Sequence, residues 1–118
     1  MTHIASIESV LAELKGHDKI LDATVVSRSG MHISGEVPKG THLETYVAMS
    51  AILLGAAETA TLELKEQLNN VSVEMKDSKL IIFSCGPKAL LVARVSVYID
   101  TEVLNTLVKS AKRIEEFL

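Results

Sequence analysis

The chain has a single cysteine, Cys85, no tryptophan, and only two tyrosines, two phenylalanines and two prolines among 118 residues. A lone thiol excludes a disulfide within the chain and any cysteine-rich metal site, and it suits a reducing compartment. Aromatics this scarce leave no material for base-stacking platforms or aromatic ligand cages. An excess of one charge is missing too. Twelve basic against fifteen acidic residues give a net charge of −3, with no Lys/Arg cluster able to follow a phosphate backbone. Nucleic acid is therefore not an expected partner. Neither G-x-x-x-x-G-K-[ST] nor G-x-G-x-x-G occurs, so no glycine loop is present to hold a nucleotide, and no cofactor is expected. The opening MTHIASIESV lacks a basic start followed by an apolar block, so the expectation is no secretory signal and a cytoplasmic protein. No linker, repeat or low-complexity tract divides residues 1–118, and 47% apolar residues can fill the core of the single domain expected here.

What the chain does have is an uncharged stretch at residues 45–57, TYVAMSAILLGAA, inside a helical pattern that runs over residues 43–68. A helix apolar on all sides at its middle is covered on all sides. At a helical period Leu43, Tyr46, Val47, Leu53, Leu54, Ala57, Leu64 and Leu68 share one face, and Thr45, Ala48, Met49, Ile52, Gly55, Ala56 and Thr59 share the other. The second face is mostly small, which lets another backbone approach, so the reading is contact with the same helix of a second copy. A membrane span is the rival explanation, but crossing a bilayer takes ~20 apolar residues, and Glu44 and Glu58 bracket a shorter run. Direct insertion into a membrane is therefore not expected.

Around this helix the pattern is regular. Thr2 is placed to cap a first helix with Ile4, Ile7, Val10, Leu11 and Leu14 on one side and Gly16 at its end. Residues 20–27 and 31–36 read as strands joined by the turn Arg28-Ser29-Gly30. Thr41 and Glu44 have capping-box spacing, and Asn69-Asn70 are expected to close the long helix. Val71, Val73 and Met75 alternate with polar residues as in a half-buried strand. Strands at 79–84 and 89–97 follow, and then a last helix capped by Asp100, with Val103, Leu104, Leu107, Val108, Ala111, Ile114 and Leu118 inward. The order α-β-β-α-β-β-β-α, with short links between strands, predicts an α+β fold with an antiparallel sheet.

Candidates for chemistry are weak. His32, Ser34 and Glu36 fall on one side of a strand, but at ~3.3 Å per residue His32 and Glu36 lie about 13 Å apart, too far for a base and its orienting carboxylate. A solvated outer face accounts for them. The four histidines are scattered, and Cys85 has no partner at zinc-ligand spacing, so no metal site is expected. Lys39-Gly40-Thr41 reads as a turn before a helix rather than an anion site, and Arg28 as a solvated turn residue rather than an arginine finger.

The segments DATVVSRSGMHIS, ETYVAMSAILLGAAETATLEL and VSVEMKDSKLIIFSCGPKALLVARV, over roughly residues 11–107, resemble the Roadblock domain of the dynein light chain family. The stand-alone prokaryotic small-GTPase regulators are the most similar form. The resemblance implies a five-stranded antiparallel sheet with the long central helix on one face and the N- and C-terminal helices on the other. It implies homodimers in which Ala48, Ile52, Gly55, Ala56 and Thr59 meet their mates, and Val71, Val73 and Met75 pair edge to edge. It further implies a non-catalytic module whose partner is a Ras-like small GTPase. Against the family pattern, residues 96–99 are expected to prolong the fifth strand, and no residue marks a docking surface. The competing reading is a small-molecule sensor of PAS-like or profilin-like build. An enzyme ranks third, because no nucleophile, base or metal cluster is visible.

Overall fold

The computed structural model, which describes residues 2–118, runs α1 (Ile4–Lys15), β1 (Ile20–Ser27), β2 (His32–Gly35), α2 (Leu43–Leu62), β3 (Val71–Glu74), β4 (Lys79–Ser84), β5 (Ala89–Val95) and α3 (Thr101–Glu116). The expected order and the α+β class are both present. All strand pairs are antiparallel, and the sheet order is β2-β1-β5-β4-β3. Three hairpins make the local pairs. The last strand then enters beside the first, with Ala23 opposite Ala93 and Val25 opposite Leu91. This puts β5 in the middle, covered on both faces, which is why it reads as the nearly continuous apolar run ALLVARV.

Helices cover the two faces unequally. On one face α1 and α3 pack together on a core that includes Ile7, Leu14, Leu91, Leu107 and Ile114. On the other, α2 alone sets Val47 and Leu54 onto Val26, Ile82, Leu90 and Val92. Each fully buried aliphatic side chain contributes roughly 1.5–3 kcal/mol, so the two-helix face supplies most of the stability. The chain ends are joined as well: the His3 backbone N–H donates to the Phe117 carbonyl at 2.8 Å, and Arg113 pairs with Glu13.

Several boundaries differ from expectation for identifiable reasons. α1 begins after His3, and Thr2 makes no cap. α2 is capped by His42, whose Nδ1 accepts from the Thr45 backbone N–H at 3.3 Å. Thr41 stands one position too early for its Glu44 spacing to matter. At the other end α2 stops at Leu62 rather than near Leu68, and Lys65 turns the chain with φ 58°. Helix formers continue past Leu62, but another turn and a half would carry the chain ~9 Å further along the helix axis, with only Asn69 and Asn70 left to bring it back to β3. The fifth strand ends at Val95 and is not prolonged. The Ser96 N–H turns to the Lys19 carbonyl at 2.8 Å, and Tyr98 is exposed.

Ser34 is buried rather than solvated, and its carbonyl accepts from Thr24 Oγ1 at 2.9 Å. Gly35 follows with φ +95°, and a Cβ there would lie 2.5 Å from the Ala23 oxygen and 2.8 Å from Thr24 Cα. Gly35→Ala should therefore cost about 2–4 kcal/mol in urea unfolding, through strain and collision together. A loss under ~1 kcal/mol would mean that the first hairpin does not hold the backbone this tightly.

Candidate protein-interaction site

Sheet width sets the geometry of this site. Five strands at ~4.8 Å place the outer two about 19 Å apart, while a packed helix covers about 10 Å. Each face thus takes two helices, and α2 has no companion. Of its twenty residues only Val47, Ser50 and Leu54 are buried. Ile52 is 58% exposed, Met49 49% and Leu53 41%. The helix is long and apolar enough to cross a membrane by length and composition alone. Its setting is different: one side is fixed in the sheet core, and Glu58 on its C-terminal half is ion-paired to Arg28.

The expected division of α2 into two faces needs correction. Leu43, Leu53 and Leu64 do not join the core face, being 40%, 41% and 69% exposed, and Ser50 is buried in their stead with its hydroxyl on the Tyr46 carbonyl at 2.8 Å. Leu53 and Met49 instead wall a shallow apolar groove with Tyr46 and with Leu80 of β4. This is the flank toward β3. Ile52, Ala56 and Thr59 point outward, exposed. Ala48 and Gly55 sit on the opposite flank, toward the first hairpin, where a Cβ on Gly30 would come within 3.2 Å of Ala48 Cα. A Cβ on Gly55 would meet nothing within 4 Å. β3 is an edge strand, pairing only with β4, and Val71 and Val73 are half-buried toward α2 while Met75 is 44% exposed. The structure thus gathers the outward stripe of α2, its β4 flank and the β3 edge on one side of the molecule.

Residues 6–94 match the family model for the Roadblock/LC7 domain. The chain belongs to the Roadblock/LC7 family. Among solved structures, MglB in a tetrameric arrangement is 18% identical with a TM-score of 0.83, over 97% of this chain and 88% of that one. The gliding protein MglB of Thermus thermophilus is 17% identical with a TM-score of 0.82, over 97% and 89%. A Roadblock/LC7 domain from Streptomyces avermitilis is 16% identical with a TM-score of 0.80, over 92% and 94%. At these identities the likeness is one of fold. No curated protein sequence matches the chain.

Within this Roadblock chain the catalytic candidates stay apart. His32 Nε2 lies 2.9 Å from the Gly35 carbonyl, and Glu36 pairs with Lys15 at 2.7 Å, both near the surface. Arg28 is not a solvated turn residue. Its guanidinium donates to both Glu58 oxygens at 2.5 and 3.1 Å, to Ser84 Oγ at 2.8 Å and to the Gly86 carbonyl at 3.1 Å. It ties the first hairpin, α2 and the β4–β5 turn together, a role that no local pattern around Arg28 could reveal.

Cys85 is fully buried in the α1/α3 core, and burial pushes its thiol up to about 12. Burial also pushes the Tyr46 phenol up to about 12, and among the described residues its hydroxyl has no hydrogen-bond partner. In the unfolded chain these protons leave near 9.0 and 10.0. The folded protein holds both until about 12, so it binds more protons than the unfolded one across that window. Stability should fall as pH rises from about 9 toward 12, and Tyr46→Phe should reduce the slope. Urea midpoints that stay level from pH ~8 to ~11 would contradict these assignments.

Proposed function

We propose that the chain works in the cytoplasm as a homodimeric, non-catalytic module that binds and regulates or scaffolds a Ras-like small GTPase. The observation that carries this reading is the half-covered sheet face: α2 lacks a companion helix, and its open side adjoins an open strand edge. A second copy supplies both at once, its α2 filling the uncovered half and its β3 extending the sheet. The contact would use Ile52, Ala56 and Thr59 together with Met49 and Leu53, with Ala48 and Gly55 at its hairpin-side margin and Val71, Val73 and Met75 at the edge. Family membership supports the partner, since Roadblock domains resembling this one serve Ras-like GTPases. To regulate such a GTPase the dimer must bind one arrangement of its switch loops more tightly than the other.

A small-molecule role has one observation in its favour, a cleft of about 280 Å³ between α1 and the first hairpin, walled by Leu11, Leu21 and Ala23 with the Lys15–Glu36 pair on its rim. It is open and small beside typical ligand sites, and it ranks second.

Light scattering on the wild type, Ile52→Glu and Gly55→Arg tests the assembly. Both side chains enter open space in the isolated chain, so the variants should still fold and unfold cooperatively, with a midpoint lowered only by the lost association. The wild type should show twice the 12.8 kDa chain mass, or a multiple of two given the tetrameric MglB, and both variants should shift toward one chain mass. A folded monomeric wild type would overturn the dimer. A dimer that binds small GTPases from its own organism equally in their GDP and GTP-analogue states, or not at all, would overturn the regulatory role.

A further inference from the structure

The chain contains only four carboxamide side chains, Gln67, Asn69, Asn70 and Asn105, and all four line one groove of about 570 Å³. The first three come from the segment between α2 and β3, and Asn105 comes from α3 on the opposite wall. Asn70 Oδ1 accepts from Ser72 Oγ at 3.1 Å, while among the described residues the amides of Gln67, Asn69 and Asn105 have no hydrogen-bond partner. Leu104 and Val108 lend the α3 wall apolar surface, and Lys112 and Glu115 offset each other on it. The groove is concave, electrically balanced and rich in groups that both donate and accept, and it is separate from the α2 stripe.

Those features select a ligand class. Balanced charge disfavours an anion such as phosphate or a nucleotide. Sugars and bases are held against aromatic faces, and the only aromatic residue here, Phe83, is 3% exposed. A carboxamide matches a peptide group donor for acceptor. An extended chain projects its N–H and C=O groups to both sides, which suits carboxamides on two facing walls.

We propose that this groove binds an extended, uncharged polypeptide segment of a partner protein, with its backbone held between the carboxamides of Gln67, Asn69 and Asn70 on one wall and Asn105 on the other. The site goes beyond the GTPase reading and stands without it. A phage-displayed library of linear dodecapeptides, selected on the purified protein, supplies the probe, and ¹⁵N NMR titration with an enriched peptide supplies the readout. The side-chain NH₂ signals of the four residues should shift saturably in the wild type. Asn69→Ala/Asn105→Ala, both at exposed positions, should weaken binding about tenfold with an unchanged thermal midpoint. Maltohexaose should leave the same signals in place. Failure to enrich any peptide, shifts confined to another surface, affinity indifferent to the double substitution, or saturable shifts with maltohexaose instead would each overturn the assignment.

Discussion

Everything distinctive about this molecule follows from a mismatch of widths. A five-stranded sheet needs two helices per face, and the chain provides three for two faces. Where α1 and α3 lie side by side the face is closed, and its core residues reach full burial. Where α2 lies alone, its apolar surface extends beyond what the sheet can cover. The uncharged stretch at 45–57 is the record of that mismatch in the sequence. A helix meant for water on its outer side would carry charge there.

The same constraint makes the attachment of α2 important. A lone helix on a sheet has few buried side chains to fix it, and here only Val47, Ser50 and Leu54 do so fully. Arg28 supplies the missing rigidity by bonding at once to Glu58 of α2, Ser84 of β4 and the Gly86 carbonyl in the β4–β5 turn. Charge-assisted, two-pronged bonds of this kind set direction as well as distance. The helix is thereby held at a fixed angle on the sheet.

How much of this was legible in the sequence varied with how one-sided each element is. α3 is polar on one side, and Val103, Leu107, Ala111 and Ile114 were assigned inward correctly. α2 is apolar nearly all round, so its pattern has no polar sector to mark the direction of the sheet. It predicts cover on two sides, of which the sheet supplies one, and it misplaces Leu43, Leu53 and Leu64. The strands were legible from their alternation and turns, yet the pairing of β5 with β1 was not, because burial on both faces says nothing of which neighbour supplies it. The partners of Arg28 and the gathering of Asn69, Asn70 and Asn105 depend on contacts far apart in the chain, which no local pattern encodes.

In the proposed dimer, a second copy of the chain closes the open side of α2 and the edge of β3. The most direct test is hydrogen exchange of the β3 backbone amides, Val71–Glu74, followed by NMR across a range of protein concentrations. Closure predicts that the amides on the outer edge of β3 are protected nearly as well as those bonded to β4, and that their protection rises with concentration. Outer amides that exchange rapidly at every concentration would show an edge open to water and would contradict the account.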